Sequence, residues 1–184
     1  VLIAGLVSGM LVWRRLARGR DLAARGRHAA AGRIFREALC MYDRREDPLR
    51  AGSARYELGR LLAVRGVADE AADMFEEAGR LFRRAGATRS AIAAAAREAG
   101  ARMEAGRLQA AETLLRAADL AAEQATAGPE RMMVRAVLVE CLDWQNRTDD
   151  AQRIIEQDRA FGEGTRPDPI EVETPACRAG ASSD

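Results

Sequence analysis

Small and apolar positions recur along this chain at a fixed spacing. The pattern is clearest over 51–85, AGSARYELGRLLAVRGVADEAADMFEEAGRLFRRA. Apolar residues at helical intervals run into a glycine there and resume beyond it, which predicts a helix, a turn and a second helix. The unit returns every 40 residues, with turns at Gly26, Gly66, Gly106 and Asn146, and with Arg27, Arg107 and Arg147 directly after three of them. Five positions past each turn stands Ala31, Ala71, Ala111 or Ala151, and four further on Phe35, Phe75, Leu115 or Ile155. A period of this size marks a solenoid, because one helical pair cannot bury its apolar stripe alone and stacked pairs can. Gly19, Gly59 and Ala99 lie twelve positions before the alanines of their repeats, small where two helices must approach closely. Val139 holds that place in the fourth repeat and predicts a slightly wider separation.

A small residue, an alanine twelve on, an aromatic or aliphatic four on and another alanine three on: this pattern resembles the tetratricopeptide repeat (TPR). The matching residues are Leu58, Gly59, Ala71, Phe75 and Ala78 in the second unit; Gly19, Ala31, Phe35 and Ala38 in the first; Ala99, Ala111, Leu115 and Ala118 in the third. The fourth keeps Leu138, Ala151 and Ile155 but has Asp158 in the last place. The resemblance covers about Leu11–Phe161. It implies an all-α, right-handed α-α superhelix of about four helical hairpins, with an N-terminal apolar helix. The repeats exceed the family's usual length of about 34 residues, and the excess is expected in the second helix and the link after it. The family's aromatic near the start of the first helix is absent at Arg55, Ala95 and Arg135. Long repeats of this kind resemble those of bacterial regulators and cargo-binding proteins.

The resemblance also implies that the first helix of each repeat lines a concave groove. Carried over by position, the groove takes Ser53, Tyr56, Glu57, Arg60 and Ala63 from repeat two, and Ala93, Ala96, Arg97, Gly100 and Met103 from repeat three. Repeat four supplies Met133, Ala136, Val137, Glu140 and Asp143. The expected partner-binding residues are Tyr56, Arg60, Arg97, Met103, Met133 and Glu140. They suit an extended or helical peptide carrying apolar and some acidic side chains. Met103 and Met133 read equally well as flexible fillers of core gaps. The Lys/Asn clamp with which some family members grip a C-terminal carboxylate is missing.

The ends of the chain differ from its middle. Residues 1–13, VLIAGLVSGMLVW, are uncharged, and Arg14, Arg15, Arg18 and Arg20 follow before the first acidic residue, Asp21. An apolar run, a tryptophan and an arginine cluster form the pattern of a membrane segment that leaves toward the cytoplasm. Thirteen helical residues reach about 20 Å, against a hydrocarbon core of about 30 Å. The segment therefore reads either as an incomplete single-pass anchor or as an apolar helix capping the first repeat in a cytoplasmic protein. Gly5, Ser8 and Gly9 favour the anchor, being poor in a soluble helix and ordinary in a membrane one. The solenoid is expected over 14–161. Links are expected near Arg45–Pro48, with Asp47 capping and Pro48 opening a helix, at Gly86–Arg89 before a helix capped by Ser90, and at Thr126–Pro129. Residues 162–184 hold three of the five prolines and read as a disordered tail. No polar capping helix is evident after repeat four, so the last helix is expected to be covered by the tail, by a partner or by a second copy in a homo-oligomer.

Composition narrows the chemistry. Charged residues make up 31% of the 184 residues, yet the net charge is only +1, as solvated helix faces of mixed sign would give. That balance argues against a nucleic-acid binder. The single histidine, His28, opens a helix between Arg25, Arg27 and the second helix of repeat one, and reads as an exposed helix-start residue. Cys40, Cys141 and Cys177 form no metal-ligand spacing, and the first two read as buried apolar residues. No glycine-rich phosphate loop follows a strand. These absences predict a non-enzyme without cofactor or metal. Two functions fit: a protein-binding scaffold or adaptor tethered to a bacterial membrane, or the sensing part of a larger bacterial regulator. An upstream DNA-binding or nucleotide-binding region would favour the second.

Overall fold

The computed structural model describes residues 14–44 and 46–164, and no strand occurs among them. Eight helices follow one another: α1, helical over 14–24, α2 His28–Asp43, α3 Pro48–Val64, α4 Ala68–Arg84, α5 Thr88–Glu104, α6 Leu108–Gln124, α7 Gly128–Trp144 and α8 Thr148–Gly164. From α3 onward every helix has 17 residues. The 40-residue unit is thus two equal halves. The excess over the usual repeat does not go into the second helix and its link, as the sequence suggested; both helices of each pair are long and every link is short.

Each link turns through one residue in the left-handed region: Gly26, Glu46, Gly66, Gly86, Gly106, Thr126 and Asn146, with φ between 49° and 75°. In the second repeat the Gly66 N–H donates to the Ala63 carbonyl (2.9 Å) and the Val67 N–H to the Leu62 carbonyl (3.0 Å). Two orphan carbonyls at the end of α3 are satisfied in this way, and α4 starts at once. Asp47 caps α3 as expected, accepting from the Arg50 N–H at 3.1 Å with Pro48 as the first helical residue. Ser90 does not cap α5: the helix starts two residues earlier, at Thr88, because the turn at Gly86 sets its origin. At the other end α8 runs through Gly164, beyond the boundary expected at 162. Residues 1–13 and 165–184 lie outside the described residues, and the apolar N-terminal helix and the tail lie with them. Among the described residues no helix is long and apolar enough to cross a membrane.

Short links make consecutive helices antiparallel neighbours, and α5 also touches α7. Ala31, Ala71 and Ala111 are fully buried, as are Phe35 and Leu115, with Phe75 close behind. The close approach is real: a Cβ added to Gly19 would lie 2.4 Å from the Phe35 ring, and one added to Gly59 2.9 Å from the Phe75 ring. Where the family places an aromatic, Arg55 instead joins three helices, pairing with Asp43 of α2 (3.1 Å) and Glu77 of α4 (2.5 Å). Arg135 does similar work on α8, pairing with Asp158 (2.8 Å) and donating to Gln157 (2.8 Å).

That pair changes the reading of the last helix. At the positions where α4 carries Ala72, Ala78 and Gly79, α8 carries Gln152, Asp158 and Arg159, all exposed. Among the described side chains α8 thus presents a polar outer face, with Ile154 and Ile155 half-buried. Cys141 is buried as expected, whereas Cys40 is exposed on α2.

Candidate binding groove

The first helices of the repeats, α3, α5 and α7, are small or apolar on two sides, since each packs on the helix before it and the one after. Ala91, Ala94, Ala95 and Ala99 are all buried in α5. What remains of these helices faces a common hollow of about 430 Å³. Its walls are Arg60, Ala63 and Val64 of α3, Arg97, Gly100 and Glu104 of α5, and Met133, Val137, Glu140 and Trp144 of α7, with Ala96, Ala101, Met103 and Phe75 in the floor. The intervals within each helix are three and four residues, so each helix turns one stripe toward the hollow.

Five of the six residues expected from the sequence line this hollow: Arg60, Arg97, Met103, Met133 and Glu140. Tyr56 does not. Its ring packs edge-on against Phe75, centroids 5.4 Å apart, and tilts against Phe82, so it belongs to the contact between α3 and α4. Met103 is buried, 3% exposed, and serves as floor, while Met133 is half-buried and open to the hollow. Arg60 is anchored by Glu57 (3.1 Å), itself buried and held a second time by Arg20 (2.6 Å). Glu57, placed in the groove by the sequence, is therefore part of its support. Arg97, Glu104 and Glu140 are exposed and make no ion pair among the described residues, which leaves charges of both signs available beside apolar surface.

Gly100 is the most telling residue of the wall. It lies inside α5, and a Cβ added there would meet nothing within 4 Å. Glycine in a helix interior costs roughly 1 kcal/mol relative to alanine, and no packing demand offsets that cost here. No group of three or more His, Cys, Asp or Glu side chains fit to hold a metal occurs among the described residues. Beside the site, burial pushes the Glu98 carboxyl upward against the pull of Arg102.

No protein-family model matches the chain, and no curated protein matches it either. Solved structures do. A Podosopora anserina protein described as a kinesin light chain with nearly identical TPR-like repeats superposes with a TM-score of 0.72 at 19% identity, over 84% of this chain and 76% of that one. A second structure of that protein gives 0.70 at 18% identity, over 85% and 77%. BtubC (BKLC) from P. vanneervenii gives 0.74 at 13% identity, over 95% and 70%. The fold is TPR-like.

Within the TPR-like solenoid three wall residues lie outside the set expected from the sequence: Val64, Glu104 and Trp144. Val64 is 71% exposed and Trp144 50% exposed, each at the last turn of its helix. Trp144 had a signal, since it sits four residues beyond Glu140 on the same stripe. Val64 had the same signal, four residues beyond Arg60 and at the place that Trp144 holds in repeat four.

Proposed function

We propose that this chain is a non-enzymatic interaction scaffold that holds a peptide or helix of a protein partner against α3, α5 and α7. The observation that carries the reading is Gly100, a helix-interior glycine over open space in the wall of the hollow. The occupant's apolar side chains enter beside Met133, Val137 and Trp144, the last an aromatic of the kind that dominates binding energy at protein interfaces. Arg97 and Arg60 select acidic groups on the partner, and Glu104 and Glu140 set its register. Residues 1–13 tether the scaffold to a membrane with the repeats in the cytoplasm, and their apolar sequence followed by arginines supports that arrangement.

The test is Gly100→Phe. The ring has room to enter the hollow, so the helix content and melting temperature are expected to match or exceed those of the parent. Partners crosslinked by the parent protein through a photoreactive group at Val137 are expected to disappear from the variant. Unchanged crosslinking with Gly100→Phe sinks the groove assignment. The tether is checked separately by washing membranes with alkaline carbonate: the full chain is expected to stay in the pellet and a form lacking residues 1–13 to leave it.

A further inference from the structure

The near-neutral total hides a sharp division of charge. Residues 14–44, which make up α1 and α2, contain nine arginines and three carboxylates, whereas residues 45–184 contain 20 arginines and 25 carboxylates. The three carboxylates of the first hairpin are all engaged: Asp21 by Arg25, Glu37 by Arg15 and Asp43 by Arg55. Arg14, Arg18, Arg27, Arg33, Arg36 and Arg44 remain exposed, with no ion pair among the described residues.

The seam between repeats explains where two of these point. In α3, α5 and α7 the position equivalent to Arg14 is Ala54, Ala94 or Val134, each fully buried against the preceding helix. The position equivalent to Arg18 is Leu58, Glu98 or Leu138, also buried. At both places α1 turns an exposed guanidinium outward. Arg33 and Arg36 of α2 instead line the cleft against α3 and α4, where Glu70 and Asp73 of α4 face them. Both Phe35 and Tyr42 are buried, so among the described residues of α1 and α2 no phenyl or phenol ring is exposed for a nucleic-acid base to stack on. Guanidinium groups bind phosphate oxygens through paired hydrogen bonds. The chain that enters α1 is the apolar run 1–13.

We propose that the outer face of α1 docks on an anionic phospholipid surface through Arg14 and Arg18. This deepens the tethered-scaffold reading, on which it rests for the nearness of the membrane. The net acidic repeats beyond it are repelled by the same surface, so docking turns them and the binding groove away from the bilayer.

The test uses the full chain and a variant carrying Arg14→Gln and Arg18→Gln. Both side chains are exposed and make no ion pair among the described residues, so the helix content by circular dichroism is expected to be unchanged. Each protein is co-sedimented with vesicles of phosphatidylcholine alone and of phosphatidylcholine mixed with phosphatidylglycerol. The parent is expected to prefer the mixed vesicles by at least about tenfold, the preference falling as salt is raised, since each basic side chain near such a surface contributes about a fivefold factor. The variant is expected to lose the preference and keep its binding to phosphatidylcholine. Equal binding of the parent to both vesicles, unmoved by salt, overturns the docking face and leaves the tether standing. Binding to mixed vesicles alone supports the face and removes the tether. Binding to neither removes both. A double-stranded RNA oligonucleotide bound in place of the mixed vesicles overturns the proposal in favour of nucleic acid.

Discussion

Glu98 and Glu112 are both buried carboxylates at seams between helices, and their surroundings push them in opposite directions. Burial raises Glu98 above the usual carboxylate range, and Arg102, at 2.5 Å, does not fully reverse it. Burial acts on Glu112 as well, but bonds from Arg116, Gln145 and Arg147 outweigh it and hold that carboxyl below the usual range. A carboxyl lowered in the folded state contributes stability that is present above its unfolded pKa and lost as pH falls through the folded one; a raised carboxyl does the reverse. Glu112→Gln is therefore expected to destabilise the protein at neutral pH by about 1–2 kcal/mol. The deficit should close as pH falls below the ordinary carboxylate range. Glu98→Gln is expected to be neutral or stabilising at neutral pH, its benefit fading as pH falls through the raised value. Urea denaturation of both variants across the acid range checks the signs, and equal losses at neutral pH would contradict them.

At the scale of the element, paired helices hold their separation by matching volumes. Gly59 lies against Phe75, whereas the equivalent places in the next repeat hold Ala99 and Leu115. Gly52 lies against Phe82, a Cβ there meeting the ring at 3.0 Å, and the next repeat reverses the sizes with Ile92 and Ala122. Cores tolerate such exchanges when volume is kept and resist overpacking by about 1–3 kcal/mol. Gly59→Ala alone is expected to cost an amount in that range. Adding Phe75→Leu, which copies repeat three, is expected to recover part of the loss, so that the double variant is more stable than the sum of the single ones. Thermal melts of the three proteins measure the coupling, and strict additivity would show that the two positions do not compensate.

At the scale of the molecule, the solenoid has unlike ends: a basic first hairpin and a polar α8. Solenoids need polar outer faces on their terminal repeats to remain soluble. Asp158, which breaks the repeat pattern in the sequence, pairs with Arg135 and keeps the outer face of α8 polar. Gln152→Ala, Asp158→Ala and Arg159→Gly together would give α8 the face that α4 turns to α5. Sedimentation is expected to show this triple variant self-associating at concentrations where the parent does not. An unchanged mass with intact helix content would mean that the polar face is not what limits the stack.

The sequence by itself determined the helical pairs, their 40-residue period, the buried alanines and the stripes that line the hollow between α3, α5 and α7, because each depends on residue size and hydrophobicity at helical spacing. It also determined the Asp47–Pro48 start of α3, a purely local hydrogen bond. The 20-residue half-period stayed hidden because Glu46 and Thr126 occupy left-handed turns that their side chains disfavour. Stacking on both sides fixes those turns, and local propensity loses to it. Tertiary structure alone placed Tyr56 in the α3–α4 contact, since the helix phase that decides this placement comes from packing against two neighbours. It also separated the unpaired arginines of α1 and α2 from those spent on salt bridges. A net charge cannot make that distinction, because pairing depends on which carboxylate a neighbouring helix brings within reach.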